Sequence, residues 1–598
     1  MRTLTARRLT FAGPVLLAAI SLAVLKDSGS AADLPAPQAT KPGLSDCTMF
    51  GGTPARNMVN LRDKNIPSIP LDIMKEVDDP KNKDKLIEVL DRKADGTVVW
   101  KADLGSKSYG GPTIAGGRVY VGTNNQRPRN DRDVTRNKAG EVEPIDRGVV
   151  MCFDEKTGKF LWQAVHNKLE SGRVNDWPEE GICSMPTVES DNVYYVTNRC
   201  TVVCVDANGF ANGNQGFQKE KYQEATDADI IWEYDMMKEL GVFPHNMSAG
   251  CPLIVGDLLY VNTANGVDDG HLNLPSPNAP SFIAINKKTG ELKWKSSLPG
   301  KNIMHGQWSN TTYAELDGVK QVIFAAGDGW IYSFAPDSDD PKGKLIWKFD
   351  GNPKDSVYEL GGTGTRNDYI STPVIYDNKI YIGMGQDPEH STGISAFWCI
   401  APGTKTGDIS RVLEFKTKGP DGMMVTSEKP NPNSAAVWSY GGEEARKWAK
   451  RDFKFGRTMS TACIVDDVLY ISELAGFLHC MNAKTGEHYW KYDTKASIWG
   501  SPYFVDNKIY LATDAGALFT FRHDKKPMEF DDLKAAAAAT TNKEAGKLMA
   551  GVEKEVQAKY LVAKVMFDAP IRSTPIVANG VLYVMTEKSL YAIEAAAK

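Results

Sequence analysis

Short apolar runs punctuate this chain, and a tight polar turn divides them into pairs. One pair reads Ser573-Thr574-Pro575-Ile576-Val577, then Asn579-Gly580, then Val581-Leu582-Tyr583-Val584. The pattern returns at Gly110-Gly111-Pro112, Ser184-Met185-Pro186, Gly250-Cys251-Pro252, Ser371-Thr372-Pro373 and Gly500-Ser501-Pro502, with weaker copies starting at Ser309 and Ser460. Each unit predicts a strand, a two-residue turn and a second strand. The turns are Gly116-Gly117, Asp191-Asn192, Gly256-Asp257, Asp317-Gly318, Asp377-Asn378, Asp466-Asp467, Asp506-Asn507 and Asn579-Gly580. Gly, Asn and Asp tolerate the positive φ that such hairpins require.

A third strand follows in each unit and ends in a turn such as Lys156-Thr157-Gly158, Lys288-Thr289-Gly290, Lys405-Thr406-Gly407 or Lys484-Thr485-Gly486. A fourth strand then carries Trp162, Trp232, Trp294, Trp347 or Trp490, with Leu413 and Val565 in that place in two weaker copies. Small four-stranded units repeated eight times bury their faces by packing on one another. The expected fold is therefore all-β: an eight-bladed β-propeller of antiparallel blades. The last unit stops after its third strand. Residues 97–102 supply a turn-and-Trp fourth strand with no first three, so an N-terminal strand is expected to close the ring on residues 590–594. This divides the chain into a leader and arm, 33–96, and one propeller, 97–598. Residues 531–560, inside an insertion at 525–560, are rich in Ala, Lys and Glu and are expected to be helical, either packed on the ring or meeting a protein partner.

Arg2, Arg7 and Arg8 precede the apolar run 11–25, and Ser30-Ala31-Ala32 is a small-residue cleavage site. This reads as a signal peptide, 1–32, and implies a periplasmic or secreted protein with no transmembrane segment after cleavage. The run falls short of the roughly 20 residues that span a bilayer. Arg7-Arg8 is also compatible with twin-arginine export. The whole chain carries a formal charge of −5, and residues 1–32 hold four basic residues and one acidic, which leaves −8 from residue 33 onward. That balance gives no general attraction to nucleic acid.

Nine cysteines in an exported chain raise the question of disulfides. Cys152, Cys204, Cys399 and Cys480 fall at equivalent third-strand positions in different blades, so they are expected to be buried thiols. Cys47, on the arm, is the best candidate for a bridge. No Cys-x-x-Cys-His occurs, so no covalent haem is implied.

Loops between strands two and three, and between blades, are long nearly everywhere, and residues 124–147 read as a charged mobile loop. These loops share one face, and binding residues are expected there. Asn246, His305, Gln307, Trp308, Arg366, Asn367, Asp368, Arg457, Trp499 and Arg572 should ring the funnel on that face. Three arginines suit an anionic ligand, and two tryptophans offer stacking surfaces. The same residues can also be inter-blade struts and core. Asp387, Glu389 and His390 are metal candidates, as are Asp268, Asp269 and His271. No hydrolase, phosphate-loop or zinc motif appears.

Units such as Val150-Met151-Cys152-Phe153-Asp154-Glu155-Lys156-Thr157-Gly158-Lys159-Phe160-Leu161-Trp162 resemble the tryptophan-docking repeats of the PQQ-like propellers. That family includes PQQ-dependent quinoprotein dehydrogenases and the assembly-factor propeller of the outer-membrane β-barrel machinery. Met49-Phe50-Gly51-Gly52-Thr53-Pro54-Ala55-Arg56-Asn57 is similar to the lead-in of exported bacterial members. The resemblance implies either a PQQ and Ca2+ cofactor or a protein-binding role. The chain departs from the dehydrogenases in having no adjacent cysteines and no matching calcium-ligand motif. The expectation is a binding protein or scaffold for a small anionic ligand or protein segment. The alternatives are a divergent quinoprotein oxidoreductase and an assembly-factor-like scaffold.

Overall fold

Eight antiparallel sheets of four chain segments each follow one another along the sequence. The computed structural model describes residues 45–80, 82–360, 364–385, 393–418, 424–442, 453–528 and 541–597. The expected signal peptide lies outside these residues. Blades 1 to 8 open with the strands that begin at Thr113, Thr187, Leu253, Thr312, Val374, Cys463, Tyr503 and Ile576. The arrangement is an eight-bladed β-propeller. Among the described residues no helix is long and apolar enough to cross a membrane.

The hairpins form for the reason their turn residues suggest. Asp377 and Asn378 have φ of 48° and 54°, and Asn579 and Gly580 have 53° and 79°. Both turn residues are left-handed, as a turn matched to the strand twist requires. In blade 2 the turn is Ser190-Asp191, one residue before the expected pair, because Asn192 already pairs with Glu189.

The ring closes as the orphan strand predicts. Gly96–Asp103 pairs antiparallel with Ser589–Ala595, with Thr97 opposite Glu594 and Ala102 opposite Leu590. An N-terminal and a C-terminal segment thus complete the last blade together.

A three-residue row holds most blades together. Tyr120 pairs with Cys152, and Cys152 with Trp162. The same row is Tyr381, Cys399, Trp438 in blade 5 and Tyr470, Cys480, Trp490 in blade 6. In blades 3 and 8 alanine takes the middle place, as Tyr260, Ala284, Trp294 and Tyr583, Ala592, Trp100. The middle residue is small because the Tyr and Trp rings meet across it, with centroids 5.9 Å apart for Tyr120 and Trp162. These cysteines are spacers. All nine cysteines are buried and free, Cys47 included. Cys47 does not bridge because it pairs by backbone with Ile114 in the ring interior, where burial pushes its thiol up to about 12.

Most of these tryptophans also dock on the next blade. Trp100 donates to the Glu155 carbonyl at 2.8 Å, Trp162 to Ala207 at 3.0 Å and Trp438 to Ala483 at 3.0 Å. The Thr-Gly turn is what the indole lies on. A Cβ at Gly158 would stand 2.6 Å from the Trp100 ring, and one at Gly486 would stand 2.6 Å from Trp438.

Trp438 also corrects the reading of blade 5. Its fourth strand is Ala436–Gly441, and Leu413 does not hold the Trp place. Leu413 sits in an inserted hairpin, Val412–Lys418 with Met424–Pro430, and Gly407–Asp408 runs parallel to the outer strand of blade 4. The segment 124–147 is likewise built rather than loose. It contains the hairpin Val134–Arg136 with Val142–Pro144, and Arg147 pairs with buried Asp133 at 2.5 Å. In blade 7 a helix, Asn542–Tyr560, replaces the docking turn. Ala545, Met549, Val552, Val556 and Tyr560 form its buried stripe, and Tyr560 stacks on Trp490 at 5.1 Å. That apolar face is therefore spent on the ring.

The arm has an architectural role that its sequence did not disclose. Residues 46–66 run along the inner edges of the first strands and bond to every blade in turn. Ile114, Val188, Tyr313, Ile375 and Phe504 donate their backbone N–H to the carbonyls of Cys47, Thr48, Pro54, Ala55 and Met58. Asn57 exchanges two bonds with Ile464 of blade 6, and Asn60 donates to Val577 of blade 8. Arg56 reaches blades 3 and 4 by donating to the Cys251, Pro252 and Thr311 carbonyls, and it also donates to Phe50. Its side chain is fully buried, and burial holds the guanidinium down to about 10, so it stays charged at neutral pH. The first strands present unpaired edges to the axis, and buried backbone groups require partners. The arm supplies them and plugs the axis at one end.

Candidate functional site at the long-loop face

The opposite end of the axis carries the loops expected to bind. The contacts divide the ten candidate residues into three groups. Asn246, His305, Gln307 and Trp308 lie around blade 3. Arg366, Asn367, Asp368 and Arg457 lie between blades 4 and 6. Trp499 and Arg572 lie toward blade 8. Asp387, Glu389 and His390 fall outside the described residues.

The second group is a set of connectors. Arg366 is buried and donates to Asp350 Oδ1 at 2.5 Å, to the Asp328 carbonyl at 2.7 Å and to Ser356 at 2.9 Å. Its guanidinium lies over the Tyr358 ring at 4.2 Å. Asp350 also pairs with Lys354 at 2.5 Å. Asn367 is fixed through its backbone to the Asn352 side chain, Asp368 accepts from the Gly385 N–H, and a Cβ at Gly393 would stand 3.0 Å from the Arg457 guanidinium. Nearby, burial raises the Asp328 carboxyl to about 6 although Tyr332 and Trp330 donate to it.

The third group is also internally paired. The Arg572 guanidinium lies 4.8 Å from the Trp499 ring and 5.2 Å from Tyr109. It donates to the Tyr109 hydroxyl and pairs with buried Glu587 at 3.2 Å. Burial raises the neighbouring Glu180 carboxyl and the Tyr109 hydroxyl. A cation held between two rings and a carboxylate has most of its charge answered within the protein.

The first group is of another kind. His245 precedes blade 3, His271 lies in the loop between its second and third strands, and His305 follows it. Their ring centroids stand 4.4 to 4.8 Å apart. The Trp308 ring meets His305 edge-on at 5.0 Å, and its indole nitrogen donates to the Met247 carbonyl at 3.1 Å. His245 and His305 are buried and His271 is half-buried at the rim. Gly266 makes the approach possible, because a Cβ there would stand 2.4 Å from the His305 carbonyl and 2.6 Å from the His245 side chain. Gln307 accepts from the Gly327 N–H at 3.0 Å, and Asn246 takes φ of 58°.

The sequence reading had split this group. In the sequence His271 groups with Asp268 and Asp269, His305 with the funnel, and His245 with neither. Asp268 in fact bonds within its own turn to Asn273, and Asp269 pairs with Arg173 at 3.3 Å. The signal that could have joined them is register. His245 and His305 stand at similar distances before the first strands of successive blades.

A protein-family profile described as outer membrane protein assembly factor BamB matches residues 83–387 and 431–527. Among solved structures, a europium-containing methanol dehydrogenase aligns with a TM-score of 0.51 at 11% identity, over 92% of this chain and 98% of that one. A quinohemoprotein alcohol dehydrogenase from Comamonas testosteroni aligns with a TM-score of 0.50 at 11% identity, over 93% of this chain and 81% of that one. BamB from Moraxella catarrhalis aligns with a TM-score of 0.42 at 12% identity, over 83% and 97%. No protein of curated function matches the sequence.

Proposed function

Because this chain belongs to the PQQ-like propeller family whose profile is described as outer membrane protein assembly factor BamB, we propose that it is an exported propeller that binds its ligand or partner at the long-loop face. The observation that carries this is the asymmetry of the axis. The arm fills one end by bonding to all eight blades. The other end keeps long loops, a histidine group and Trp308.

The donor set does not fit a quinone cofactor. Arg366 and Arg572, two of the three arginines expected to face its carboxylates, are bound to Asp350 and Glu587. All nine cysteines are separate buried thiols, so no disulfide ring covers a planar group. The Trp308 ring lies against Gly306, where a Cβ would stand 2.5 Å from it, and against the imidazoles. The family match favours a binding role over a redox one. With these two arginines paired, blade 3 is the favoured place for an anionic ligand on this reading.

Native mass spectrometry of the protein taken from its own cells tests both halves. The expected species lacks residues 1–32 and carries a bound molecule that Trp308→Ala releases. A full-length cytoplasmic chain contradicts export, and a bound molecule indifferent to Trp308→Ala contradicts the face.

A further inference from the structure

At the rim of blade 3, the nitrogens that could ligate an ion from His245, His271 and His305 all lie within 4.8 Å of one another. Three loops bring them there, one before the blade, one within it and one after it. Each loop is pinned. His245 Nδ1 meets the Val267 carbonyl at 2.9 Å. A carbonyl only accepts, so Nδ1 carries the proton, and in the neutral ring Nε2 carries the lone pair. This is the arrangement in which a backbone oxygen fixes the tautomer and orientation of a metal-binding histidine. His271 is held in the left-handed region, φ 55°, by a turn in which its N–H donates to the Asp268 carbonyl at 3.0 Å. The backbone on either side of His305 is fixed by Val267, which donates to its carbonyl at 2.9 Å, and by Met304, which donates to the Gly327 carbonyl at 2.9 Å.

We propose that His245, His271 and His305 form a binding site for one divalent first-row transition ion such as Zn2+ or Cu2+. The proposal rests on the reading of this face as the binding face and says what charge it presents. Imidazole nitrogens suit Zn2+ and Cu2+, whereas Mg2+ and Ca2+ take oxygen. Around a tetrahedral Zn2+ with bonds of about 2.0–2.1 Å, ligand nitrogens stand about 3.4 Å apart. The present spacing of up to 4.8 Å would have to close to that value on binding. Three protein ligands leave a fourth position, and half-buried His271 marks the side that faces solvent. Three neutral rings leave the ion its full charge. A carboxylate of a small molecule or peptide, or water, would fill the fourth position. The positive charge that the paired arginines do not offer would then come from the ion.

The test uses the untagged chain from residue 33, stripped with a chelator, and calorimetric titration with ZnCl2 and CuCl2. One equivalent should bind, CaCl2 and MgCl2 should not compete, and CoCl2 should give the visible bands of a tetrahedral site. His271→Ala and His305→Ala should each weaken binding by at least about tenfold. His305 is buried and its variant can misfold, so thermal melting accompanies each titration, and half-exposed His271 decides alone if His305→Ala unfolds. No binding to the native chain, or equal affinity in a folded His271→Ala variant, overturns the proposal. If the ions do not bind but a molecule that depends on Trp308 is found in native mass spectrometry, the metal site fails while the binding face stands; if neither is found, both fail.

Discussion

The two ends of the propeller axis are built from the same repeat and do different work. At one end, residues 46–66 satisfy the inner edge of every blade, and a buried arginine spends its donors on four backbone carbonyls. At the other end, the loops before and within the blades are long and bring titratable side chains together. The difference teaches that the backbone groups are satisfied mainly at one end of the axis, and under the proposed function stability and binding are separated along it. A closed end can tolerate little change, because each group it buries is already committed. An open end can hold imidazoles close to one another because the ring beneath them is fixed from the far side.

The largest expected effect breaks the closed end outright. A chain starting at residue 67 should fail to give a cooperative folded monomer, since eight inner edges lose their partners. Sedimentation and thermal melting would show this; a truncated chain that melts like the intact one would remove the arm from the account. Arg56→Met is the single-residue version. It leaves the carbonyls it served without a donor and should cost about 3–5 kcal/mol in urea unfolding, with Zn2+ affinity unchanged in the folded fraction.

Acid should act next. Burial first, and the Arg199 charge second, hold His166 down to about 4, and burial holds His488 well below its ordinary value. Both rings are therefore neutral in the fold at pH values where the unfolded chain is protonated. Unfolded histidine titrates near 6.5, so this stability is complete above about pH 6.5 and is lost as pH falls toward 4, by ~3 kcal/mol for His166. Unfolding midpoints measured from pH 7 to pH 4 check it, and a flat profile would contradict it.

Much of this was legible in the chain, and the reasons are local. The turn pairs, the Thr-Gly-Trp units and the orphan strand 97–102 are short-range signals, so the eight blades and their closure followed from them. Blade 5 misled because its inserted hairpin separates Trp438 from its third strand, which left Leu413 as the nearest apolar substitute. The arm was opaque because its bonds are mostly backbone to backbone and span hundreds of residues. Nothing in Cys47 or Arg56 alone announces eight separate partners. The arginines were found but not their partners, since Asp350 and Glu587 reach them only through the fold. The histidine group was hidden because three loops of one blade supply it.

The smallest expected effect sharpens the comparison from within the open end. Arg366→Met removes a strut and leaves Asp350 with Lys354 and its other neighbours. It should cost about 2–3 kcal/mol while Zn2+ binding at blade 3 stays within about twofold of the native value. Loss of the ion in this variant, with the fold intact, would tie the arginine to the site and blur the distinction between struts and ligands.

Hydrogen exchange followed by mass spectrometry, with and without Zn2+, reads both ends in one experiment. Peptides covering 46–66 should be among the slowest to exchange in either condition. Peptides covering 241–250, 264–281 and 300–308 should exchange faster and become protected when Zn2+ is added. Rapid exchange throughout the arm, or protection by Zn2+ that spares all three loops, would contradict the division of the axis into a sealed end and a binding end.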